Sequence, residues 1–168
     1  MTLSMYQASA PVFLRGLESL SAILGKAAAH AEAKKIDPAV FINARLAPDM
    51  FALSRQVQIA SDAAKGCVAR LAGAEVPSYP DTETTFPELI ARVAKTIAFV
   101  KAFAASQIDG SEARTVTLKM RGADRTFPGQ AYLFNLALPN FFFNQKTAYD
   151  ILRHNGVELG KSDYLGAL

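Results

Sequence analysis

The chain has 168 residues, about half of them hydrophobic, a formal charge of +3 and a single cysteine, Cys67. That length is one domain's worth, spanning 1–168, and buries roughly two-thirds of the surface an unfolded chain exposes. The small charge argues against nucleic-acid binding, which needs a clustered basic face. A lone thiol excludes an internal disulfide, and no run approaches the roughly 20 apolar residues of a membrane span. No basic leader precedes the first apolar residues, so no signal peptide is expected and the cytoplasm is the default location.

Abundant alanine with modest Gly and Pro points to helices. The first helix is expected to start at Leu3 or Ser9 and to run to Lys35. Its apolar residues Leu3, Tyr6, Ala10, Phe13, Leu17, Leu20, Leu24, Ala27 and Ala31 keep a heptad spacing, the pattern of bundle packing. Pro11 fits a first turn, or kinks a longer helix. His30, late in this helix, reads as a surface residue near a helix C-terminus. Asp37-Pro38 restarts the chain as a capped turn, with Phe41 and Ile42 plugging one end of the bundle.

The second helix is expected over Met50 to Leu71, with the stripe Met50, Leu53, Val57, Ala60, Ala64, Cys67 and Leu71. Cys67 on that stripe is a small buried hydrophobe. Gln58 and Asp62 sit one turn apart beside it, as a wetted flank or as a polar pair at a pocket mouth. Residues 73 to 85, with Pro77 and Pro80, are non-helical. Thirteen extended residues reach about 40 Å, against about 33 Å for a 22-residue helix. The linker can therefore cross the whole bundle, allowing helices two and three to run parallel.

Helix three opens with a capping box, Thr85-x-x-Glu88, carries Pro87 in its first turn and is expected to end near Gln107. Its stripe is Phe86, Ile90, Val93, Ile97, Val100 and Ala104. Alternation of Val116, Leu118 and Met120 with threonine and lysine has strand period, with a return over Arg125 to Phe127. This hairpin holds the one basic cluster, Arg114, Lys119, Arg121 and Arg125, diluted by Glu112 and Asp124. It reads as a solvated, charged hairpin. The segment Gln130 to Leu138 is helical, with Pro139 kinking it into the final helix.

That final helix, Pro139 to Gly156, is the densest aromatic stretch. Phe141, Asn144, Ala148 and Ile151 share one face. Asn144 is a polar group on a core stripe, which must find hydrogen-bond partners or remain costly. It is either a buried amide that sets helix register or a ligand contact. His154 falls in the last turn, where positive charge is favoured, and Gly156 lies just past the helix end.

The run PNFFF-x4-AYDILR-x-NGV-x-LGK-x-DYLG, the opening SMYQASAPVFLRGLESLSAIL and the segment RLAPDM-x4-RQVQIASD-x-AKG together resemble the domain-of-unknown-function family numbered nineteen-ninety-three. That family is similar to the DinB/YfiT superfamily. The resemblance implies an all-α, up-down-down-up four-helix bundle with a long helix 2–3 crossover and a small β-hairpin before the last helix. It also implies that homodimers are common. Better-known superfamily members hold a divalent metal through three histidines, one on helix two and two spaced by four on helix four. The resemblance places Asn144 and Ala148 at the latter two positions, and helix two has no histidine. Since amides are weak zinc ligands, no metal and no cofactor is expected.

Three functions stay open. A ligand-binding bundle with the metal site lost would use a pocket near Asn144 lined by Gln58, Asp62, Phe141, Phe143 and Tyr149. A metal-dependent enzyme of thiol-transferase or hydrolase type would need a non-standard site, or Asp62 as base. A dimeric interaction module would use exposed aromatics, since the chain has eleven Phe and no Trp. The expected partners are a second copy and a small molecule, with no nucleic acid and no membrane.

Overall fold

The computed structural model describes residues 3–120 and 122–166, so Arg121 of the basic cluster lies outside the described residues. In chain order the elements are α1 (Ala10–Lys34), α2 (Pro38–Ile42), α3 (Leu53–Ala72), α4 (Phe86–Lys101), α5 (Ala105–Ile108), β1 (Thr115–Met120) and β2 (Ala123–Pro128). Then come α6 (Gly129–Tyr132), a π-helical turn (Leu133–Ala137), α7 (Leu138–His154) and α8 (Lys161–Leu165). The chain is mostly helical, with one small antiparallel hairpin before the last helices. No described helix is long and apolar enough to cross a membrane.

Local chemistry sets the boundaries. α1 begins after Ser9, and Pro11 falls in its first turn, where a missing N–H costs nothing. A separate turn precedes it, closed by the Ser9 hydroxyl donating to the Met5 carbonyl at 2.6 Å. α3 stops at Gly73, whose φ of 70° lies in the left-handed region. The Thr85–Glu88 capping box starts α4. α4 ends at Lys101, earlier than expected, and the separate turn α5 carries the chain on.

The junction near Pro139 is a π turn rather than a simple kink. Proline has no N–H for the Asn135 carbonyl, and its ring crowds that oxygen. The preceding turn opens, and the Leu138 N–H reaches back five residues to the Leu133 carbonyl.

The core joins the heptad stripes of the long helices. Phe13, Leu17, Leu20, Leu24 and Ala27 of α1 and Val57, Ala60, Ala64, Cys67 and Leu71 of α3 have no exposed surface. On α4 the buried line is Phe86, Leu89, Val93, Thr96 and Val100, with Ile90 and Ile97 only partly covered. Past the end of α4, Phe103 is buried and Ala104 exposed, so the expected stripe is turned by one position at three sites. Phe141 of α7 is fully buried, edge-on to Phe13 with ring centroids 5.1 Å apart. Each such ring contributes roughly 1.5–3 kcal/mol by burial.

Four contacts place the helices. Glu18 early in α1 meets Lys101 at the end of α4 at 3.1 Å. Phe41 of α2 bridges from His30 of α1 to Phe86 of α4. Asp62 of α3 pairs with Arg92 of α4 at 3.1 Å. Arg70 late in α3 donates to the Tyr132 hydroxyl at 3.1 Å, just before the π turn that leads into α7.

The linker over residues 73–85 is clasped between α3 and α4. The Arg92 guanidinium is almost wholly buried. It donates to the Pro80 carbonyl at 3.0 Å and pairs with Glu83 at 2.9 Å and Asp81 at 3.0 Å. The Tyr79 ring lies between the ammonium groups of Lys65 and Lys95, 3.8 and 4.1 Å from its centroid.

Candidate functional site

The six residues expected around one pocket lie in four places. Gln58 and Asp62 belong to the clasp. Gln58 is buried and donates to Glu83 at 2.9 Å, while Asp62 lies between Lys65 at 2.9 Å and Arg92 at 3.1 Å. Phe141 points into the core. Tyr149 holds the C-terminal segment, its ring against Tyr164 and its hydroxyl donating to the Leu159 carbonyl at 3.4 Å. Phe143 and Asn144 remain, and they line one cavity together.

That cavity measures about 260 Å³ and opens between the start of α3 and α7. Its walls include Phe51, Gln56, Ile59, Asn140, Phe143 and Asn144. Asn144 is 4% exposed and donates its amide hydrogens to the Asn140 carbonyl at 2.7 Å and to Asn140 Oδ1 at 3.1 Å. Gln56 is 2% exposed. Its amide nitrogen donates to the Phe51 carbonyl at 3.1 Å, and its Oε1 has no hydrogen-bond partner among the described residues. A buried acceptor without a donor costs roughly 1–3 kcal/mol, and Gln56 is one of the residues that line the cavity.

The partner of Asn144 in this cleft is thus Asn140, one turn before it. Ala148, one turn after, is fully buried in the core. The signal available in the sequence was the Asn140–Asn144 repeat at i, i+4, which puts two amides on one helix face. Gln56 carries no comparable mark. Its place follows from the way α3 is turned against α7.

A second cavity of about 330 Å³ continues the cleft, sharing Ile59 and Asn140 with the first. Arg70, Tyr132 and Leu136 line it, and the hairpin supplies Leu118, Lys119 and Met120. Tyr132 is 3% exposed, and burial, the main cause, pushes its phenol up to about 12. Burial likewise pushes the Cys67 thiol far above its ordinary value, so the thiol stays protonated. In the clasp, burial of Glu83 works to raise its pKa. Hydrogen bonds from Arg92 and Gln58 outweigh burial and hold the carboxyl below its usual range.

The donor set does not suit the divalent metal that the resemblance implies. The amides of Gln56, Asn140 and Asn144 are weak ligands for zinc-like ions, and Asn140 Oδ1 already accepts a hydrogen from Asn144. Among the described residues no three of His, Cys, Asp and Glu gather into a metal-holding group. His30 lies edge-on to Phe41, and exposed His154 ends α7.

A comparison with curated proteins finds no match. The crystal structure of a DinB family member protein from Shewanella denitrificans, at 1.83 Å resolution, is similar to this one with a TM-score of 0.88. The two sequences are 43% identical, over 97% of this chain and 92% of that one. The model of the family described as Domain of unknown function (DUF1993) matches residues 5–165. On those two likenesses, over nearly its whole length, this chain belongs to the DUF1993 family of DinB-like proteins.

Proposed function

We propose that the chain is a single DinB-like helical-bundle domain that has lost the superfamily metal site and binds a small organic ligand in the α3–α7 cleft. The long helices run up, down, down, up. Supporting this, the start of α1 meets the end of α4, and the end of α3 meets the segment leading into α7. Lys65 and Lys95, at similar depths in α3 and α4, flank one tyrosine. Such an order needs the long crossover that the clasp holds in place.

The observation that carries the ligand reading is that Gln56, which lines the cavity with Asn140 and Asn144, keeps a buried Oε1 with no hydrogen-bond partner among the described residues. Turning the Gln56 amide toward the cavity would let a ligand N–H or O–H supply the missing bond, and the exposed rings of Phe51 and Phe143 at the rim supply apolar contact. The test has two parts. Elemental analysis of protein purified without a histidine tag is expected to find no stoichiometric metal, and nickel, zinc and manganese are expected to leave Tm unchanged. The neutral probe 4-phenylbutan-1-ol is expected to shift the side-chain amide resonances of Gln56 and Asn144. A bound metal with a clear rise in Tm would sink the lost-site reading and move the thiol-transferase or hydrolase alternative to first place. In that alternative Asp62 could act as base only by giving up its contacts with Lys65 and Arg92.

A second reading rests on Phe51 and Phe143, which are 58% and 60% exposed on the rim of the same cavity. Two such rims facing each other would bury four rings in a homodimer. Sedimentation showing only monomer at micromolar concentration would remove it.

A further inference from the structure

We propose that the Arg70–Tyr132 end of the cleft is an anion-binding subsite. It takes the carboxylate or phosphate of a small ligand whose apolar body lies against Leu118, Met120 and Leu136. The proposal rests on the reading of the α3–α7 cleft as a ligand site and adds a charge to the ligand.

The cations around this end of the cleft fall into two groups, and Arg55, which also lines the cavity, is paired with Asp81 of the linker. Arg92 is matched by Asp62, Asp81 and Glu83, and Lys65 by Asp62. Their charge is used in holding the linker. Arg70 has no carboxylate within ion-pair distance among the described residues, although it lies in a cavity wall. Its Nη1 donates to the Tyr132 hydroxyl, and no other described acceptor takes a hydrogen from the guanidinium. Lys119, on the hairpin side of the same cavity, likewise forms no ion pair among the described residues. The one acid lining this cavity, Asp62, already lies against Lys65 and Arg92. The wall therefore presents uncompensated positive charge.

The guanidinium is also held in place. It folds back over Gly66, so that a methyl group at position 66 would run into Arg70 Nη1. Tyr132 fixes the other side. The Tyr132 hydroxyl accepts the Arg70 hydrogen, and its own hydrogen has no acceptor among the described residues. The phenol stays protonated at neutral pH. Arg70 and Tyr132 thus offer several donors on one edge of an apolar cavity, an arrangement that suits a planar carboxylate or a phosphate.

The test uses three probes on full-length 15N-labelled protein: 4-phenylbutyrate, phenyl phosphate and 4-phenylbutan-1-ol. The readouts are the Arg70 Nε–H resonance and the backbone amides of Leu118 and Tyr132. At least one anion is expected to bind about tenfold more tightly than the alcohol, and comparison of the two identifies the preferred group. Arg70→Met is expected to abolish that preference, so that the anions bind no more tightly than the alcohol does to the same variant. Gly66→Ala keeps the charge but displaces the guanidinium, and is expected to cut the preference severalfold. This second variant carries the test should Arg70→Met fail to fold. If the alcohol shifts Gln56 and Asn144 while neither anion binds more tightly, the subsite is overturned and the cleft stands. If Arg70→Met folds and keeps the preference, or the anions shift Lys95 and Tyr79 instead, the subsite is again overturned. If no probe shifts any cleft residue, the cleft reading fails and the subsite with it.

Discussion

The close approach of α1 and α7 at Gly16 can be tested with one substitution made twice. Gly16 and Gly25 both lie within α1. A Cβ on Gly16 would come within 2.5 Å of Phe141 Cε1, 2.8 Å of Cζ and 3.2 Å of Gln145 Oε1, whereas a Cβ on Gly25 meets nothing within 4 Å. The missing side chain at Gly16 lets Gln145 donate to the Gly16 carbonyl at 3.0 Å across the α1–α7 seam. Replacing a mid-helix glycine by alanine gains about 1 kcal/mol of helix propensity. At Gly25 nothing opposes that gain, so Gly25→Ala is expected to raise Tm by about 2–4 °C for a chain of this length. At Gly16 the added methyl displaces a fully buried ring already packed on Phe13, an overpacking cost of about 1–3 kcal/mol. With the lost Gln145 bond, worth about 1 kcal/mol, the net expectation is a loss of about 1–3 kcal/mol for Gly16→Ala. Urea titrations of both variants, read by far-ultraviolet circular dichroism, give the two signs directly. A third variant locates the cause. In a Phe141→Leu background the ring is gone, and Gly16→Ala should cost at least about 1 kcal/mol less than in the parent. Gly16→Ala stabilising the protein as much as Gly25→Ala would refute this account of the α1–α7 seam.

Other expectations concern the clasp and the buried thiol. Arg92→Met should destabilise the fold by about 2 kcal/mol, below the figure for a fully buried pair because Asp62 and Asp81 are partly exposed to water. Limited proteolysis should then cut first within residues 73–85. Glu83 has a folded-state pKa below its ordinary 4.5. Its stabilising contribution is therefore complete above pH 4.5 and is lost as pH falls through the folded value. Glu83→Gln should be less stable than the parent at pH 7, with the gap narrowing in urea titrations below pH 4.5, and a constant gap would exclude this linkage. Cys67 is fully buried with its thiol pKa raised, so a colourimetric disulfide reagent should label it only at the rate of unfolding. Rapid labelling of the native protein would mean that this part of the core opens easily.

The helices and their inner faces were legible from residue spacing, because burial repeats with the helix period. The stripes lie in the core as expected from Ala10 on in α1 and from Leu53 on in α3, whereas Leu3 is exposed and Met50 half-buried, both ahead of the helices they were assigned to. The capping box before α4 and the glycine after α3 mark termini through backbone chemistry that needs no distant partner. The stripe expected for helix three was off at three positions, Ile90, Ile97 and Ala104. Periodicity fixes a face only to within about one residue, and α4 packs on two helices at once. The linker was legible as a long non-helical stretch. Its clasp was not, since Arg92, Tyr79, Asp81 and Glu83 are ordinary surface residue types until the fold brings them together.

The candidate site shows the same division. Asn144 announced itself as a polar residue on an apolar face, and the structure places it in a cavity wall. Gln58, Phe141 and Tyr149 seemed equally placed to join it, yet they lie at the clasp, in the core and against the C-terminal segment, while Asp62 of the clasp also borders the second cavity of the cleft. By itself the sequence determined the helices, their apolar faces, the hairpin and the absence of a histidine set for a metal. These depend on local chemistry and on period. Only the tertiary structure decided that Gln56 is left with an unpaired oxygen beside Asn140 and Asn144, and that Arg70 rests on Gly66 and Tyr132 without a carboxylate partner among the described residues. Those facts depend on how α3 is turned against α7, on the π turn forced by Pro139 and on where the hairpin lies. Each joins residues distant in the chain, and no local pattern records them.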